Sequence, residues 1–330
     1  MRCFRHRSID IRFYVRATWA CWSCGIGRVP ALVLLVALCS PGARADSAPS
    51  LRVFASVLPV QYFVQRVGGD DVQVDVMVLP GQSPATYEPR PQQVAALAQA
   101  DLYVRVGVPF EDAWMRRISA ANPDMEVLDL REGLPLRPME AHAHDDAHGA
   151  HEHGNTGQHG ELDAHVWTSP RLVREMIVRI RERLSALDPA HADAYLARQQ
   201  TFDRELQALD EELTARLRGI AQRSFMVYHP AWGYFADAYG LRQIPVEFEG
   251  KEPGAKRLAV VIEQARASDI HVVVVQPQFD QRAARRVAQA IDGRVASVDP
   301  LSVDYAESLR ALAQVIAGPS ADAAASKPSQ

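Results

Sequence analysis

The run His271-Val272-Val273-Val274-Val275-Gln276 decides the fold class. A strand with one wet face alternates apolar and polar residues, whereas four valines in succession suit a strand buried on both faces, the situation of a parallel sheet covered by helices. The flanks agree. A helical pattern over 255–267 precedes the run, another over 281–291 follows it, and a short β-rich segment at 294–298 comes next. Strand and helix alternating in this way imply βαβ units.

The same alternation extends outward. Upstream lie a strand over 225–228, a helix over 232–239 and a strand over 243–248; downstream, 305–316 forms the last helix and 321–330 a disordered tail. An equivalent set occupies the first half, with strands over 51–55, 72–78, 102–106 and 126–130. Helices over 60–67, 91–100 and 110–121 alternate with them, the second opened by Pro91, as helix starts allow. Between the sets, apolar residues recur every three or four positions from Pro170 to Pro189 and again over 190–217. This helix-rich stretch reads as a connector between two lobes, with a coiled-coil hairpin as the alternative. The expected organisation is α/β: two (β/α) lobes with parallel sheets joined by one long helix. The expected boundaries are 1–45 (leader), 46–164 (first lobe), 165–188 (linking helix) and 189–320 (second lobe). The cleft between such lobes is the natural ligand site.

Residues 137–164 interrupt the pattern. They form a loop rich in His, Ala, Gly and Asp, holding His142, His144, His148, His151, His153 and His159. Such a run has no fixed geometry, so one ordered site engaging all six is not expected. Many weak imidazole and carboxylate sites instead raise the local ion concentration, a capacity that falls as imidazolium forms at lower pH.

The first 45 residues carry seven Arg and one acid, leaving 29 basic against 39 acidic residues in the remainder. That balance argues against a nucleic-acid partner, which requires a basic footprint. Arg-rich sequence, the apolar run 31–38 and Ala43-Arg44-Ala45 together read as a secretory signal, too short to span a membrane. The alternative is a lipoprotein anchored at Cys39, which Leu38 fits poorly. All four cysteines lie in this leader, so an exported chain would hold metal through His, Asp or Glu alone.

His229 directly follows one predicted strand, Asp299 follows another, and His165 lies where the loop meets the connector. Ligands in open α/β sheets bind beyond the carboxyl ends of strands. Two imidazoles and a carboxylate without thiolate favour zinc or a neighbouring first-row ion. No nucleophile elbow, phosphate loop or H-E-x-x-H motif is present, and no motif places a general base beside an open zinc position, so no enzyme is expected.

Several motifs, in order, carry a resemblance. They are LPGQSPATYEP (79–89), DAHVWTSP (163–170), YHPAWGYFADAYGL (228–241), EGKEPG (249–254), VQPQF (275–279) and VDPL (298–301). Over 51–316 the chain resembles the zinc/manganese-binding solute-binding proteins of bacterial ABC importers, cluster A-I. The resemblance implies two lobes joined by a long helix, with a metal between them on three His and one carboxylate. His165, His229 and Asp299 match three of these ligands. The first His, expected after Ser83-Pro84, is replaced by Ala85. Three readings follow: water completes the set, Glu88 or a loop histidine replaces the missing donor, or the chain has ceased to bind metal as its relatives do. The His-rich loop favours Zn2+ over Mn2+.

The function implied is a periplasmic, monomeric zinc receptor delivering its ion to an ABC permease membrane subunit. The alternatives are a periplasmic metal buffer or chaperone without transport, and an importer receptor for manganese or iron.

Overall fold

A computed structural model describes residues 50–139, 162–247 and 252–318. The leader, most of the His-rich loop with its six histidines, and the tail from 319 lie outside the described residues. Among the described residues, no helix is long and apolar enough to cross a membrane.

The first sheet contains β1 (Leu51–Ala55), β2 (Val72–Val76), β3 (Leu102–Arg105) and β4 (Glu126–Asp129), in the order β2-β1-β3-β4. The second contains β5 (Ser224–Val227), β6 (Arg242–Pro245), β7 (Val272–Val275) and β8 (Arg294–Ser297), in the order β6-β5-β7-β8. Every pairing is parallel. The two sheets therefore share a strand order that reverses beside β1 and β5, the crevice where open α/β sheets bind ligands. The valine run behaves as its composition predicts. Val274 joins the large core shared by both sheets, while Val273 and Val275 enter a second core on the other face.

Around the first sheet lie α1 (Leu58–Gly68), α2 (Pro91–Leu97) and α3 (Pro109–Ala121). The second α/β set carries α6 (Gly233–Tyr239), α7 (Ala255–Ala267) and α8 (Gln281–Ala290), and α9 (Tyr305–Ala317) closes the described chain. The α2 helix stops at Leu97, before the predicted residue 100, because the Asn122 side chain donates to the Leu97 and Ala100 carbonyls (3.0 and 2.8 Å).

Two helices occupy the connector, α4 (Pro170–Leu187) and α5 (Ala192–Leu217). Val173, Met176, Ile177, Ile180 and Leu184 give α4 one buried stripe; Phe202, Leu206, Leu209, Leu213 and Leu217 give α5 another. Ion pairs Arg171–Asp210 (3.0 Å) and Arg174–Asp203 (2.7 Å) run in opposite chain directions, so the helices pack antiparallel. The pair is nevertheless no free-standing coiled coil, since α5 also packs on α1 and α9. There Phe202 lies 5.6 Å from Tyr62 and 6.1 Å from Phe63, and Phe63 meets Tyr305 edge-on at 5.0 Å.

Candidate metal centre

A cleft opens beyond the carboxyl ends of both sheets. Ser83 to Ala85 after β2 and Gly107 to Pro109 after β3 line it on one side. His229, Gln276, Phe279 and Leu301, all beyond strands of the second sheet, line the other. Its free volume of about 60 Å³ suits an ion and a water or two rather than a bulky organic solute.

The loops are held by side chains within the motifs. Gln93 of α2 accepts from the Arg90 amide (3.1 Å) and donates to the Met77 carbonyl (2.8 Å), fastening the segment that carries Ala85. Gly107, at φ +74°, turns where an L-residue would be strained. Its amide and that of Val108 donate to buried Glu111 at 2.6 and 3.1 Å. Burial pushes the Glu111 carboxyl up to about 7, against the opposing Arg105 charge and its hydrogen bonds from Tyr103, Gly107 and Val108.

His165 and His229 are brought together, their ring centres 5.2 Å apart. At the end of β7, Gln276 accepts from the His229 amide (3.3 Å) and donates to its carbonyl (2.8 Å). Phe279 stacks on the His229 ring at 5.2 Å and 21°. Trp167, two residues beyond His165, donates to the Pro300 carbonyl at 2.8 Å and so fastens the connector to the loop after β8.

Each imidazole meets a carboxylate at Nδ1, Asp163 for His165 (2.8 Å) and Glu247 for His229 (2.5 Å). Burial pushes the Asp163 carboxyl up, but hydrogen bonds from His165 and the Arg137 charge outweigh it, leaving the group below its ordinary range. The Asp163 contact is local. The Glu247 contact follows from register: β5 and β6 pair Val227 with Pro245, so two residues further on His229 meets Glu247. Gln276, Gln278, Phe279 and Trp167 stand in motifs visible in the sequence, but without a structural role; Glu247 has no local signal.

Asp299 is not joined to the pair and is not among the residues lining the cleft, although its neighbours Pro300 and Leu301 are. Its Oδ1 accepts from Gln278 Nε2 (2.8 Å) and the Leu301 amide (2.9 Å). Among the described residues, no three His, Cys, Asp or Glu side chains are grouped so as to hold one ion. Ala85 does line the cleft, whereas Glu88 is exposed and outside the lining. The loop histidines His142, His144, His148, His151, His153 and His159 lie outside the described residues.

Two α/β lobes meet at a small cleft lined by two histidines. The chain belongs to the ZnuA family, described as zinc-uptake complex component A, periplasmic, whose model matches residues 53–318. The zinc-binding lipoprotein AdcA of Streptococcus pneumoniae serotype 4 (strain ATCC BAA-334 / TIGR4) is 27% identical over 274 residues, covering 81% of this chain and 53% of that protein. The chain thus spans about half the length of that relative. The high-affinity zinc uptake system protein ZnuA of Yersinia pestis is 27% identical over 266 residues, covering 76% of this chain and 83% of that protein. A crystal structure of ZnuA superposes with a TM-score of 0.74 at 37% identity, covering 81% of this chain and 98% of that one.

Proposed function

We propose that this protein is an exported receptor that captures a zinc ion between its lobes and hands it to an ABC-type membrane permease. The observation that carries the reading is the histidine pair. Two imidazoles on one tetrahedral zinc, at zinc–nitrogen distances of about 2.0–2.1 Å, have ring centres roughly 5 Å apart. The observed separation is 5.2 Å. Zinc-binding relatives in the same family support the choice of ion.

His165 and His229 supply the nitrogens in this reading, and Asp299 supplies the charge-compensating oxygen once its carboxylate exchanges Gln278 for the ion. Water fills the position that Ala85 leaves without a donor. Neither Glu88 nor any catalytic base is needed. The six loop histidines gather ions near the cleft through weak sites. Reading the protein as a receptor rather than an enzyme agrees with its family, and export with the N-terminal leader pattern.

Titration calorimetry with Zn2+ tests the site. Asp299→Ala is expected to weaken the tight ion by about 10-fold or more, since a lost ligand removes a direct bond and a compensating charge. Unchanged tight binding in that variant would remove Asp299 from the ligand set.

A further inference from the structure

We propose that Asp163 and Glu247 are positioning residues that hold both cleft imidazoles in one tautomer, with the proton on Nδ1 and the lone pair of Nε2 left for the cleft. The effect on affinity rests on the zinc reading above; the tautomer assignment does not.

The Asp163 side chain is fully buried, and its Oδ1 accepts from the main-chain N–H of His165 (2.9 Å) as well as meeting Nδ1 (2.8 Å). Its other oxygen faces the Arg137 guanidinium at 3.2 Å. An ionised carboxylate only accepts, so a contact this short requires Nδ1–H. Glu247 is 4% exposed and makes the same demand on His229. A neutral ring has one proton; with Nδ1–H held, Nε2 carries the lone pair. Neither His165 nor His229 makes a hydrogen bond through Nε2 among the described residues.

The two contacts arise independently. One uses a residue two positions back in the same segment; the other uses strand register across β5 and β6. Packing has no reason to place a buried carboxylate against Nδ1 in both cases, whereas an ion held by Nε2 gives that reason: the carboxylate fixes the ring and raises its basicity as a ligand. Ring rotation at His229 is opposed as well by Phe279 stacked on its face, while Gln276 holds the backbone that carries it.

The test reads tautomer and affinity separately. In metal-free protein labelled with 15N at histidine, at about pH 8, above the usual imidazole range, long-range proton–nitrogen correlations report which ring nitrogen carries the proton. Wild-type His165 and His229 are expected to show Nδ1–H, opposite to the form an unconstrained histidine favours. Asp163→Ala, which removes the acceptor altogether, should alter the pattern at His165 alone, and Glu247→Ala at His229 alone. Each should weaken zinc binding about 10–100-fold in chelator competition, with Asp163→Glu and Glu247→Asp recovering part of the loss. Nε2–H at either ring in the wild type would overturn the proposal, and that measurement needs no variant to fold. So would variants with unchanged tautomers and unchanged affinity. A wild type with both rings as expected but no tight zinc would uphold the tautomer assignment and overturn the zinc reading.

Discussion

Gly233 opens α6 where Arg137 and Asp163 pack against the helix. A Cβ there would land on the Arg137 guanidinium and lie 2.8 Å from Asp163 Oδ2. The same corner is closed by Tyr234, whose hydroxyl donates to the Asp163 carbonyl (3.0 Å), and by Arg137 pairing with Asp237 (2.9 Å). The glycine is therefore a spacing requirement, since its φ is not among the positive ones. Gly233→Ala is expected to destabilise the protein by about 1–3 kcal/mol, as overpacking does. Urea denaturation in wild-type and Arg137→Ala backgrounds checks this. The cost should shrink when the guanidinium is absent, and equal costs would place the strain elsewhere.

At the scale of elements, Glu111 ties the start of α3 to the cleft-lining turn after β3. Its carboxyl, ordinarily near 4.5, is raised by burial to about 7. Below 4.5 both folded and unfolded chains carry the proton; between 4.5 and about 7 the folded chain alone retains it. The favourable contribution is thus present at low pH and lost as pH rises through about 7, by roughly 3 kcal/mol. Glu111→Gln can accept from both backbone amides and donate to Tyr103 without titrating. Between pH 5 and pH 8, wild type is expected to lose about 2.5 kcal/mol relative to this variant in urea denaturation, part of the effect being already lost at pH 5; parallel curves would contradict the assignment.

Elements were the most legible feature of the sequence. The valine run identified a parallel sheet because burial on both faces leaves a mark in composition. Three-and-four spacing likewise marked α4 and α5, though not their packing on α1 and α9, which depends on contacts between distant segments. His229 could be picked out because it follows a strand directly. Its partner Glu247 could not, because register decides which residues lie side beside side beyond two strand ends. Nor could the sequence show that Asp299 would be held by Gln278, since orientation depends on a side-chain hydrogen bond.

At the scale of the whole molecule, two sheets with the same strand order present their crevices to one small cleft, and a helical pair spans their shared core. In this reading capture is divided between the ordered cleft and the loop that carries six histidines. Deleting 141–159 is expected to abolish the weak ions and leave the tight one, which metal analysis after extensive dialysis would register. Loss of the tight ion as well would place an essential donor in the loop. The most direct measurement is zinc titration calorimetry of this loop-deleted protein beside the same protein carrying His165→Ala and His229→Ala. One tight ion per molecule is expected in the first and none in the second. Tight binding that survives removal of both imidazoles, or is absent while they remain, would contradict capture by the histidine pair.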